Sequence, residues 1–135
     1  MDFVQNNIFL ILVAFASGAM LVWPAVRGRA GGAAVSVTDA TRLINREDAL
    51  LVDVREAEEF AKGHILGARN IPLAQLEARV GELEKHKAKP VIVHCETGNR
   101  SRGAQSTLRA KGFERAVNLA GGYVAWKQAG MPVEK

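Results

Sequence analysis

The chain opens with a long apolar run and then alternates short apolar stretches with amphipathic ones. Residues Ile8 to Val26 are almost entirely apolar or small, interrupted only by Ser17, Gly18 and Pro24. A helix of these nineteen residues would come close to the ~30 Å of a hydrocarbon core, so the run predicts a transmembrane helix with Trp23 at an interface. A cleaved signal peptide is the rival, since Ala14, Ala16 and Ala19 offer small residues. It calls for a basic leader, and only Asp2 carries charge before Ile8. Arg27 and Arg29 follow the run instead, which by the positive-inside rule leaves the remainder in the cytoplasm. The reading is a single-pass anchor of the inner membrane over 1–27, a flexible Gly/Ala linker over 28–34 and a folded domain over 35–135 facing the cytoplasm.

Within the domain the apolar runs Val35–Val37, Ala49–Val54, Ala68–Ile71, Val91–Val93 and Ala116–Leu119 read as strands. They are continuous rather than alternating, as strands buried on both faces are. Helical patterns separate them. Thr38 is placed to cap a helix through about Asn45, and Glu56–Lys62 is a short helix. Leu73, Leu76, Val80 and Leu83 form a stripe with Glu77, Arg79, Glu82 and Glu84 outward. Ser101–Ala110 ends at Lys111-Gly112, and a last short helix carries Tyr123 and a core Trp126. The alternation predicts an α/β fold: a mostly parallel five-stranded sheet with helices on both faces, preceded by the one transmembrane helix.

Composition narrows the chemistry. The net charge is +4, with no basic patch interleaved with aromatics, so nucleic acid is not a partner. A single cysteine excludes an internal disulfide and any multi-cysteine metal site. His64, His86 and His94 have no metal-ligand spacing, so no metal is expected. His64, in a Gly-His-Ile turn, reads as a structural histidine bonded to backbone rather than a general base.

The lone cysteine stands where chemistry is favoured. Cys95 ends the strand Val91–Val93 and precedes Glu96-Thr97-Gly98-Asn99-Arg100-Ser101 and a helix. Ligands of open α/β sheets bind at the carboxyl ends of strands, where loop amides and a helix amino end favour an anion and lower a thiol pKa. A lone cysteine is more often a small buried hydrophobe. The polar loop argues otherwise, and Gly98 permits the positive φ of an amide nest. Asp53 and Arg55 come to the end of the neighbouring strand, as an ion pair fixing a loop or as part of the site's rim.

These residues resemble the active-site loop of the rhodanese sulfurtransferases. Leu51-Val52-Asp53-Val54-Arg55, Glu59-Phe60, Gly63 to Pro72 and Gly121-Gly122-Tyr123-Val124-Ala125-Trp126 match the same family in order, over about residues 35 to 133. The resemblance is greatest to small bacterial single-domain members with an N-terminal membrane anchor. It implies a sulfurtransferase without a cofactor, in which Cys95 takes a sulfane sulfur from thiosulfate or another persulfide donor. A thiol or protein acceptor then receives it. Glu96, Thr97, Gly98, Asn99, Arg100 and Ser101 would bind substrate and persulfide, with Arg100 attracting the donor and Asp53 and Arg55 shaping the rim. Two other classes fit less well: a membrane-tethered adaptor without activity, and a cysteine phosphatase or arsenate reductase. Phosphatase loops that look like this one carry five residues between cysteine and arginine, whereas four separate Cys95 from Arg100.

Overall fold

The apolar run that ends at the cysteine lies at the centre of the sheet. The computed structural model describes residues 5, 7–17 and 34–135 and divides the chain into two compact units, Met1–Gly31 and Gly32–Lys135. In the second unit the strands are β1 (Ala34–Val35), β2 (Leu50–Asp53), β3 (His64–Ile65), β4 (Arg69–Asn70), β5 (Val91–His94), β6 (Ala116–Leu119) and β7 (Val133–Glu134). Five of them form one sheet in the order β1-β6-β5-β2-β4, and every pairing in it is parallel. The pairs Leu51–Ile92, Val52–Val93 and Asp53–His94 set the register that brings Asp53 beside the start of the loop.

The pleat assigns alternate residues to two cores. Val91, Val93 and Val52 join Leu76, Leu83, Ala104, Leu108 and Phe113 on one face. Ile92 and Leu51 join Ala40, Leu119, Tyr123 and Trp126 on the other. Helices α3 (Leu73–Arg79) and α4 (Asn99–Ala110), with the 3₁₀ turn Val80–His86, supply the first; α1 (Val37–Glu47) and α5 (Gly122–Gln128) supply the second. A short α2 (Ala57–Lys62) closes the loop after β2. Val91, Ile92 and Val93 are each 0% exposed. At about 1.5–3 kcal/mol per fully buried side chain, they fix the strand end from which Cys95 emerges.

Several boundaries differ from the sequence reading. Ser36, not Thr38, caps α1, its hydroxyl accepting from the Asp39 amide at 3.1 Å, so β1 stops at Val35. The apolar stripe from Leu73 does not stay α-helical but tightens into the 3₁₀ turn at Val80, which still buries Val80 and Leu83. His64 and Ile65 pair antiparallel with Val133 and Glu134 in a second, two-stranded sheet. Two residues per strand are too few to show a period. His64 is structural here: Nδ1 lies 2.9 Å from the Phe60 carbonyl and Nε2 3.1 Å from Glu134 Oε1, with its ring stacked on Phe60.

The transmembrane anchor is corrected. Among the described residues no helix is long and apolar enough to cross a membrane. The helical segment described there, 7–17, is eleven residues long. The rest of the expected span, 18–26, and the linker residues 28–33 lie outside the described residues, and Ala34 belongs to β1. The single-pass, inner-membrane placement with the domain facing the cytoplasm loses its basis with the helix.

Candidate active site

β5 delivers Cys95 to the floor of a loop whose backbone turns round the sulfur. The turn depends on Gly98, which caps α4 at φ 100°, a conformation that costs a residue with a Cβ. In that conformation the Gly98 amide donates to Cys95 Sγ at 3.1 Å. Behind the loop, Gly122 brings the start of α5 so close that a Cβ there would meet the Cys95 carbonyl oxygen at 2.5 Å. That approach lets the amides of Tyr123 and Val124 donate to the carbonyls of Cys95 and Glu96 at 2.9 and 3.1 Å. The loop is therefore held by main-chain bonds on its outer side while its own amides face inward.

Burial pushes the Cys95 thiol up, but the Ser101 hydroxyl and the amides of Ser101, Gly98 and Thr97 outweigh it, and the pKa falls below the ordinary thiol value. The hydroxyl's share is the weaker one. Ser101 Oγ has one proton and two acceptors, Asn118 Oδ1 at 2.6 Å and Sγ at 3.5 Å. Asn118 Nδ2 donates to the Gly98 carbonyl at 3.0 Å, which fixes the amide with its oxygen toward Ser101. The shorter bond takes the proton, and the main-chain donors carry the lowering.

Below the loop lies a buried charge pair. Asp53 is 0% and Arg55 2% exposed. Arg55 Nε reaches both Asp53 carboxylate oxygens at 3.0 Å and Nη2 reaches Oδ2 at 2.7 Å, while the Arg55 amide donates to Oδ1. The guanidinium continues to the Gly63 carbonyl at 2.7 Å and to Glu96 Oε2 at 3.1 Å, and lies 4.3 Å from the centre of the Tyr123 ring. The pair is an ion pair, and its guanidinium also contacts the loop at Glu96. His94 beside it is fully buried; Nδ1 lies 3.4 Å from the Cys95 oxygen, and Nε2 has no hydrogen-bond partner, 3.9 Å from Asp53 Oδ2. Burial holds its pKa below the ordinary histidine value, which keeps the ring neutral.

Arg100 has a carboxylate partner that its sequence reading did not include. Its guanidinium is not a free cation but a fork on Glu59 of α2, with bonds of 2.8 and 3.0 Å. The Arg100 hydrogen bonds hold the Glu59 carboxyl down at about 2, and Glu59 in turn raises Arg100, with a smaller contribution from the Cys95 sulfur that the same guanidinium reaches. Gly98 and Ser101 are brought to the sulfur, and the Thr97 amide joins them; Thr97 and Asn99 are exposed, and Glu96 turns to Arg55. Sequence reasoning missed Asn118, whose signal was a polar residue inside an apolar strand, and Glu59, noted only as part of a motif. Among the described residues no three His, Cys, Asp or Glu side chains gather as a metal would require.

The sequence model of the rhodanese-like domain matches residues 36–129. Uncharacterized protein YibN of Escherichia coli is 43% identical over 96 residues, 70% of this chain and 67% of that protein. Thiosulfate sulfurtransferase GlpE of Pseudoalteromonas translucida is 32% identical over 95 residues, 70% of this chain and 89% of that protein. Among solved structures, the rhodanese-related protein of Thermoplasma volcanium superimposes with a TM-score of 0.68 at 31% identity, over 76% of this chain and 97% of that one.

Two measurements check the site's physics. Arg55→Ala strands the Asp53 carboxylate and should cost about 3–5 kcal/mol in urea unfolding, as for other broken buried pairs; a loss below 1 kcal/mol would mean that water reaches Asp53. The pH profile of Cys95 alkylation by iodoacetamide should have its midpoint below that of an ordinary thiol. Gly98→Ala should raise the midpoint more than Ser101→Ala does, and the reverse order would return the leading part to the hydroxyl.

Proposed function

The chain belongs to the rhodanese-like domain family, and we propose that it transfers sulfane sulfur through a persulfide on Cys95. The observation that carries this is the ring of main-chain donors around a single thiol, with the Gly98 amide 3.1 Å from Sγ. The Cys95 thiolate attacks the outer sulfur of thiosulfate, or of an organic persulfide. A new S–S bond forms to Sγ, and sulfite, or the donor's thiolate, leaves with the electron pair of the broken bond. The terminal sulfur of the Cys95 persulfide is anionic. It needs donors already aimed at it, which the amides of Thr97, Gly98 and Ser101 supply without reorganising. An acceptor thiolate then attacks that sulfur and Cys95 leaves as thiolate, which makes the cycle ping-pong.

In this reading Glu96 and Asn99 act as parts of the loop frame, and Asp53 and Arg55 position it from below. Arg100 is a weaker attractor of the donor than a free guanidinium would be, because thiosulfate must compete with the Glu59 fork. The four-residue spacing from Cys95 to Arg100 supports a nest sized for one sulfur atom over the phosphatase class.

Incubation with thiosulfate should add one sulfur atom to Cys95, seen in the intact mass and removed by cyanide, and Cys95→Ser should abolish both the adduct and turnover. Normal turnover by the serine variant, or ready hydrolysis of an aryl phosphate by the native protein, would overturn the reading. The charge balance predicts a second result. Arg100→Ala should lower kcat/KM for thiosulfate by no more than about fivefold, the scale of an exposed ion pair, against the ten- to hundredfold of a desolvated charge-assisted bond. A hundredfold loss would show that Glu59 releases Arg100 during turnover.

A further inference from the structure

Beside the loop is a cavity of about 260 Å³ lined by Arg55, Glu59, Lys62, Gly63, Glu96 and Tyr123, with Lys127 at its edge. It approaches the lower end of small-molecule sites, roughly 300–1,000 Å³, and would be largely empty around a small inorganic anion. It adjoins the reacting residue through the chain: Glu96 follows Cys95, and the Tyr123 amide holds the Cys95 carbonyl.

The charges that line the cavity are unequally spent. Arg55 serves two carboxylates, Asp53 and Glu96. Glu59 gives both oxygens to Arg100. Lys62 and Lys127 are exposed and have no carboxylate within ion-pair distance among the described residues, Lys127 standing 4.6 Å from the centre of the Tyr123 ring. The cations of this region thus exceed its carboxylates by one charge, and the excess sits at the rim on the two lysines. A cavity with an aromatic wall and one surplus positive charge suits an organic molecule bearing one carboxylate.

We propose that this cavity binds the organic part of a small thiol acceptor that carries a carboxylate, and that Lys62 and Lys127 select for it. The proposal rests on the sulfur-transfer reading. With the carboxylate at the lysines, the acceptor's thiolate attacks the outer sulfur of the Cys95 persulfide. The bond from that sulfur to Sγ breaks, its electron pair stays on Sγ as the Cys95 thiolate, and the acceptor departs as an anionic persulfide. No external oxidant or reductant enters.

The test compares 3-mercaptopropionate with 2-mercaptoethanol as acceptors from a Cys95 persulfide preformed with thiosulfate. The native protein should prefer the carboxylate-bearing thiol once each rate is corrected for its thiolate fraction. Lys62→Gln with Lys127→Gln should cut that preference by about three- to tenfold, the scale of two exposed charge contacts, and Lys62→Arg with Lys127→Arg should restore it. In parallel, 3-mercaptopropionate titrated into the native protein should shift the backbone amide resonances of Gly63 and Lys127 more than 2-mercaptoethanol does. Equal acceptor preference in the native and glutamine proteins, or no selective shift, overturns the cavity assignment while leaving the persulfide intact. Absence of any persulfide on Cys95 overturns the sulfur-transfer reading itself, and the acceptor role with it.

Discussion

A buried guanidinium holds the site together. Arg55 leaves β2 and ties four separated parts of the chain: Asp53 on its own strand, the Gly63 carbonyl before β3, Glu96 in the loop and the Tyr123 ring on α5. A charge taken out of water is costly unless each of its donors is met, and planar Arg can meet carboxylate and carbonyl oxygens at once where a lysine could not. The parallel pairing of β2 with β5 explains why Arg55 lies under the loop, because Asp53 is in register with His94. One residue of slip would turn these side chains to the opposite faces and leave Arg55 without its loop contact.

That frame accounts for how a thiol 1% exposed can still be acidic. Burial alone would raise its pKa, and the nearest full charge, Arg100, is engaged with Glu59. Beside that shared charge stand the main-chain dipoles. Amides fixed by Gly98 and by the Gly122 contact point at the sulfur, and they do not relax away as mobile charged side chains can. Backbone donors also suit an intermediate that is one atom longer than the resting thiolate, since several amides spread along the loop can share it.

Much of this was legible before any coordinates. The apolar run Val91–Val93 ending at Cys95, followed by a polar loop with Gly98 and a helix, is a local pattern, and the sheet reproduces it. The facing of Asp53 toward the loop also followed once two parallel strands were read side by side. What was not legible depends on long-range pairing. The β3–β7 sheet joins residues about seventy apart through two pairs, and the Glu59–Arg100 fork joins α2 to the first turn of α4, which only the folded sheet brings near. The N-terminal run misled for a different reason. Hydropathy over Ile8–Val26 reports composition, whereas a span requires a helix long and apolar enough to cross, and none is present among the described residues.

Charge around the loop is partitioned by depth, and the partition has a chemical sense. At the sulfur the main-chain dipoles act together with Arg100, whose charge Glu59 shares, so the cysteine can pass between thiolate and persulfide, each carrying one negative charge, with little change in field. One layer out, the carboxylates of Asp53, Glu96 and Glu59 and the guanidiniums of Arg55 and Arg100 are joined by ion pairs that hold geometry and together leave one negative charge. At the rim Lys62 and Lys127 offset that charge and leave one positive charge in excess. A free cation next to the sulfur would bind the persulfide so tightly that its release to an acceptor would slow. Placed at the rim, the same charge can bias which molecule arrives without raising the barrier to the sulfur's departure. The Glu59 fork on Arg100 is what tempers the one guanidinium that reaches the sulfur.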